Sequence, residues 1–108
     1  MRAALVLVSA LAVSGCATSA AGLAESDVEM TLFSEKSPQA WATCAAESMI
    51  GSVDLRNDGT NWWVLRSNNF QTPVARWDFT PVAAGGSKAE LRATISINTG
   101  DERVKACS

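Results

Sequence analysis

The sequence predicts an α+β fold in two layers: one N-terminal helix packed on a four- or five-stranded antiparallel β-meander. Two observations predict it. Over Pro38 to Met49 apolar residues recur at spacings of three and four, and from Val53 onward the period falls to two. The period-two segments are separated by short turn signals and not by crossover helices, so sequential strands pair antiparallel. The chain has 108 residues, 47% hydrophobic and 19% charged. That suffices for one domain and is unlike collagen-like, coiled-coil or charge-rich disordered sequences.

The chain opens with Met1-Arg2 and an apolar run from Ala3 to Val13, broken only by Ser9. A bilayer span takes about 20 apolar residues, so this run is too short for one. It matches the apolar region of a secretory signal peptide behind a positive start. Val13-Ser14-Gly15-Cys16 follows: an aliphatic residue, two small residues and a cysteine. Residues 1–16 thus resemble the lipobox signal of small bacterial lipoproteins of proteobacterial type. The resemblance implies removal of residues 1–15, diacylglycerol on the Cys16 thiol and an acyl chain such as palmitate on the new amine. Each buried CH₂ adds about 0.8 kcal/mol, so two or three chains anchor stably where one holds marginally. Ala17 stands where an aspartate would favour inner-membrane retention in such proteins. The resemblance therefore implies the periplasmic face of the outer membrane. The competing reading is an ordinary secretion signal cut after small residues, within Ser14 to Cys16 or Ala17 to Ala20.

Loss of the first 15 residues, Arg2 among them, leaves 93 residues with 8 basic and 11 acidic side chains, a net charge of −3. With Cys16 lipidated, Cys44 and Cys107 remain as an even pair in an oxidising compartment, which suggests a disulfide. Closing a loop of this length is worth about 4 kcal/mol in the chain-entropy model. Two separate thiols or a redox pair are the alternatives, but no CxxC spacing is present. The bridge would tie the helix to the C-terminal end.

Residues 16–27 are small and polar and read as a flexible tether, leaving 28–108 as the folded domain. Val28 to Phe33 alternates and suggests a short strand with Val28, Met30 and Leu32 on one side. Ser37-Pro38 is a helix start, serine as N-cap and proline in the first turn. Trp41, Cys44, Ala45, Ser48 and Met49 then share one face, and Gly51 stops the helix. Val53 and Leu55 begin the period of two. Asn57-Asp58-Gly59-Thr60 is a hairpin signal. Strands are expected over 61–67, 74–80, 89–98 and, after the Thr99-Gly100-Asp101-Glu102 turn, 103–107.

Alternation sorts the side chains onto two faces. The face toward the helix is expected to hold Val53, Leu55, Trp63, Leu65, Ala75, Trp77, Phe79, Leu91, Ala93, Ile95, Ile97, Val104 and Ala106. The other face is expected to be wet and to carry Asp54, Arg56, Trp62, Val64, Arg66, Arg76, Asp78, Glu90, Arg92, Arg103 and Lys105. On it Trp62 and Val64 are apolar misfits. Together with Arg66, Arg76 and Arg92 they form the candidate partner-binding surface, an aromatic-cationic patch. The bland alternatives are packing of Trp62 under the 68–73 loop and cross-strand ion pairs of the arginines with Asp54, Asp78 and Glu90.

The chain has no histidine, which removes the usual general base, Ser-His and Cys-His nucleophiles and most zinc and haem sites. No phosphate-binding glycine loop, nucleophile elbow or metal-spaced cluster occurs, and Asp54, Asp58 and Asp78 are the carboxylates weighed as a possible acid/base pair, with Asp58 more simply a turn residue. The acidic balance argues against nucleic acid. The expectation is a non-catalytic, lipid-anchored envelope protein that binds a protein partner, with no cofactor beyond the covalent lipid. A small-ligand or glycan-binding module using the wet face is the alternative. Weak self-association is compatible with either.

Overall fold

The computed structural model describes residues 20–94 and 99–108. Residues 1–15, expected as a signal segment, Cys16 and positions 95–98, with Ile95 and Ile97, lie outside the described residues. The elements are α1 (Ala20–Glu25), β1 (Met30–Ser34), α2 (Pro38–Ser48), β2 (Ser52–Asn57), β3 (Trp62–Ser67), β4 (Pro73–Pro81), β5 (Ser87–Ala93) and α3 (Asp101–Cys107). The strands form one antiparallel sheet in the order β1-β5-β4-β3-β2. β2 to β5 run as a meander through short turns. The first strand returns to pair with the last, so β1 and β2 are the two edges.

α2 forms where its signals stand. Ser37 is extended, its Oγ accepts from the Ala40 amide at 3.1 Å, and Pro38 fills the first turn without wasting a donor. Trp41, Ala42 and Ala45 are buried on the sheet, and Trp41 meets Phe79 edge to face at 5.3 Å. The remaining core comes from Met49, Val64, Ala75, Trp77, Ala89, Leu91, Val104 and Cys107. Both buried indoles find an acceptor: Trp41 Nε1 donates to Val104 O and Trp77 Nε1 to Thr99 O, each at 2.8 Å. Cys44 and Cys107 are bonded, with Cα atoms 5.8 Å apart, which joins α2 to α3. At the far end of the sheet Gly86 takes φ 79° and lies so close to Ser34 O that a Cβ there would collide with the carbonyl.

Three expectations are corrected. Residues 103–107, expected as a strand, are the body of a helix. Gly100 adopts φ 84° and its carbonyl accepts from Arg103 and Val104. Asp101 and Glu102 then stand in the first turn and Lys105 in the last, as the helix dipole favours. Val104 and Cys107 are buried at helical spacing while Ala106 is exposed. The alternation of Val104 and Ala106 was too short to distinguish the two periods.

The 16–27 segment, expected as a tether, is helical from Ala20, and Leu23 is fully buried. α1 lies against β4 and β5 on the side opposite α2, where Arg92 Nε donates to Ser26 O at 3.0 Å.

The faces of β3 are exchanged relative to expectation. Val64 pairs with Trp77 and Trp62 with Phe79, so Trp62 and Val64 point toward α2. Trp63 and Leu65 take the outer face beside Asp78 and Arg76. The pattern on β2, β4 and β5 is as expected: Val53, Leu55, Ala75, Trp77, Phe79, Leu91 and Ala93 are on the helix side.

Candidate functional site

The outer face is organised by register. One row runs Arg56, Trp63, Asp78, Glu90, Thr31, and the next Asp54, Leu65, Arg76, Arg92. Arg76 and Arg92 are thus directly opposed across two strands, an arrangement of like charges that destabilises by itself. Asp78, one row along, resolves it. Arg76 approaches its carboxylate with Nε and Nη2 at 2.8–3.0 Å, and Arg92 Nη1 reaches Oδ2 at 3.2 Å. The Arg76 guanidinium also lies over the Trp63 ring, 4.8 Å from its centroid. The side chains of Arg76, Asp78 and Arg92 are only 14, 15 and 19% exposed. This cluster is more buried than a wet sheet face would allow, and Arg92 ties it to α1 through Ser26.

Each predicted partner-binding residue can now be placed. Arg76 and Arg92 are on the outer face and are brought together by Asp78. Val64 is fully buried in the core and Trp62 is half-buried against it, so neither belongs to that surface. Arg66 pairs with Val53 on the helix side. Its Nη2 donates to Ile50 O at 3.2 Å, at the mouth of a cleft of about 360 Å³ lined by Ile50, Gly100, Asp101, Glu102 and Arg103. Trp63 supplies the aromatic partner that was assigned to Trp62.

The carboxylates weighed as acid or base are committed elsewhere. Asp54 pairs with Arg56 at 2.7 Å, and Asp78 is held by the two arginines. Asp58 is a turn residue: its Oδ1 accepts from the amides of Asn61 at 2.8 Å and Thr60 at 3.2 Å. These backbone bonds, Asn61 first, hold its carboxyl below the usual value of 3.8. No group of three or more His, Cys, Asp or Glu is placed to hold a metal ion among the described residues.

Two exposed aromatics stand off this frame. Phe33 is on the outer side of edge strand β1. Phe70, 87% exposed, tips the β3–β4 loop. That loop is well fixed: Asn68 Oδ1 accepts from Phe70 N at 2.9 Å and Thr72 N at 3.0 Å, and Asn68 N donates to Thr72 O at 2.9 Å. The sequence flagged Asn68-Asn69 as a loop and overlooked the phenylalanine it presents. An apolar residue closing an Asx-type turn is the signal that marks it. Beside the loop, Asp54, Arg56, Leu65, Ser67 and Gln71 help line a groove of about 490 Å³.

No protein-family model matches the chain, and neither a curated protein nor a solved structure matches it. No helix among the described residues is long and apolar enough to cross a membrane.

Proposed function

We propose that this chain is a non-catalytic cell-envelope protein, anchored by lipid on Cys16 at the periplasmic face of the outer membrane, whose domain binds a protein partner. The observation that carries the reading is the Cys44–Cys107 bond. A disulfide between surface-near helices fits an oxidising compartment. It also accounts for two of the three cysteines and leaves Cys16 behind Val13-Ser14-Gly15, where a lipobox needs it. The scaffold in this reading is α2 against one face of the meander and tied to the C-terminal end, with α1 on the opposite face. The partner-binding part rests on Phe70, a large aromatic held out on a hydrogen-bonded loop. Such an anchor buries much area on docking and loses little freedom in doing so.

The groove beside Gln71 favours a second reading, a small-ligand or glycan module. Its size is in the range of small-ligand sites, and Ser52, Asp54, Arg56, Ser67 and Gln71 are among the residues that line it.

Metabolic labelling with an alkyne palmitate tests the anchor. The native chain should take label and Cys16→Ser should not; label retained in that variant rejects the anchor. A photo-crosslinker at Phe70 in living cells tests the partner. A discrete protein adduct is expected. Absence of an adduct, with binding to cell-wall glycan that Gln71→Ala abolishes, would favour the second reading.

A further inference from the structure

The two edges of the sheet differ in a way that bears on self-assembly. Among the described residues no strand pairs with the free edge of β2, and Ser52, Asp54, Arg56 and Asn57 are exposed along it. Edges are usually blunted by proline, a bulge or a covering segment. β2 has no proline and pairs with β3 in unbroken register over its six residues. Its two charges, Asp54 and Arg56, are 55 and 62% exposed and at present pair only with each other along the strand.

We infer that β2 is the seam of a homodimer, in which two copies pair antiparallel about a two-fold axis through Leu55. The residue pattern selects this register. A two-fold antiparallel seam places position i of one copy opposite position j of the other, with i and j of equal parity, because only alternate residues aim their amides at the free edge. Centred on Leu55, Asp54 of each copy stands opposite Arg56 of the other, twice. Moving the centre to Asp54 sets carboxylate against carboxylate, and moving it to Arg56 sets guanidinium against guanidinium. Both neighbouring registers thus oppose like charges directly, which is destabilising, while the Leu55 register gains two opposite-charge pairs. On the other side of the strand the half-buried Leu55 side chains meet at the axis, extending the apolar layer that Val53 and Leu55 join in each copy. The seam would make one sheet of the two and leave both α2 helices on the same side. β1, the opposite edge, reads Met-Thr-Leu-Phe-Ser and carries no charge that could set a register.

Co-purification of two differently tagged full-length copies, extracted in mild detergent from one cell, tests the seam by its charge rules. Native with native should co-purify. Asp54→Arg paired with itself, and Arg56→Asp paired with itself, should each lose about tenfold or more in recovery, since every cross-strand pair becomes repulsive. Asp54→Arg mixed with Arg56→Asp should restore recovery, and so should the double exchange paired with itself. Two copies merely sharing a micelle would be indifferent to these charges. Equal recovery in every combination, no recovery of the native pair, or loss in the single variants without rescue in the mixture would each overturn the dimer. The rescue also reports that both variants fold.

Discussion

On the inner side of β4, Ala75, Trp77 and Phe79 are buried against α2 and held by shape. On its outer side Arg76 and Asp78 are nearly as hidden, yet they are held by charge and by the fixed geometry of a guanidinium on a carboxylate. Alternation in the sequence separated these two sets correctly. It did not reveal that the polar side would be sheltered, because shelter comes from Trp63 and from α1, neither of which was assigned to that face. The polar face of a sheet need not be its wet face. The two sides should therefore fail differently when cut: the inner side by lost volume, the outer side by leaving a charge without its partner.

Truncation of Trp77 should give the largest effect. Trp77→Ala removes a fully buried ring and orphans Thr99 O, and should cost about 3–5 kcal/mol in denaturant unfolding. Trp63→Ala, one register row away on the other face, loses a stacked guanidinium and a partly buried ring, and should cost about 1 kcal/mol. Equal costs would contradict the assignment of the two indoles to opposite faces. Replacing Cys44 and Cys107 together by alanine should come close behind, at about 4 kcal/mol, because the bridge closes a long loop. Oxidised and reduced native protein should differ by a similar amount. A difference near zero would mean that Trp41, through its bond to Val104, holds α3 in place without help.

The exchanged phase of β3 shows where the sequence was legible and where it was not. Asn-Trp-Trp-Val-Leu-Arg-Ser has two apolar residues on each face, so its own pattern gives no phase. β4 has the phase in plain sight, since Arg76 and Asp78 alternate with Ala75, Trp77 and Phe79. The missing information was in the hairpin. Asn57 pairs with Trp62 across Asp58 to Asn61, and any even number of loop residues puts Trp62 and Val64 on the same side as Leu55. Loop parity was a usable signal. α3 was harder. Its five-residue core fits either period, and only Gly100 in the left-handed region, with acids directly after it, marks a helix start. α2 with its cap, the meander and the cysteine pair were legible because each rests on a local rule that tertiary packing did not override.

Within the outer face, the sheltered and the exposed carboxylates sharpen the comparison. Asp78→Ala leaves Arg76 and Arg92 opposed without the group between them, and should cost about 2 kcal/mol. Within a single protomer Asp54→Ala removes only an exposed ion pair along the strand and should cost less than about 0.5 kcal/mol. Asp78→Asn keeps the shape while removing the charge, and should resemble Asp78→Ala more than the native chain. If Asp78→Asn is silent, the cluster is held by packing and the contrast between the faces collapses. Double-mutant cycles between Asp78 and each arginine would apportion the rest.

The smallest effect is expected at Asp58, where a carboxylate acts through backbone amides and not through burial. The amides of Asn61 and Thr60 donate to its Oδ1, which favours the ionised form and holds the folded-state value below 3.8. As pH falls, the unfolded chain therefore takes up a proton at Asp58 before the folded chain does. Stability must fall over that interval, and the contribution of this group is complete above the unfolded value and gone below the folded one. A carbon-detected NMR titration of the Asp58 carboxyl should give a midpoint under 3.8. Asp58→Asn retains an oxygen that accepts from the same amides, so the β2–β3 turn should persist while this part of the acid dependence disappears. Unfolding measured from pH 2 to pH 6 should then be flatter for Asp58→Asn than for the native chain. A titration midpoint at or above 3.8, or identical slopes for the two proteins, would show that the turn is built by Gly59 and the strands it joins, with the carboxylate a bystander.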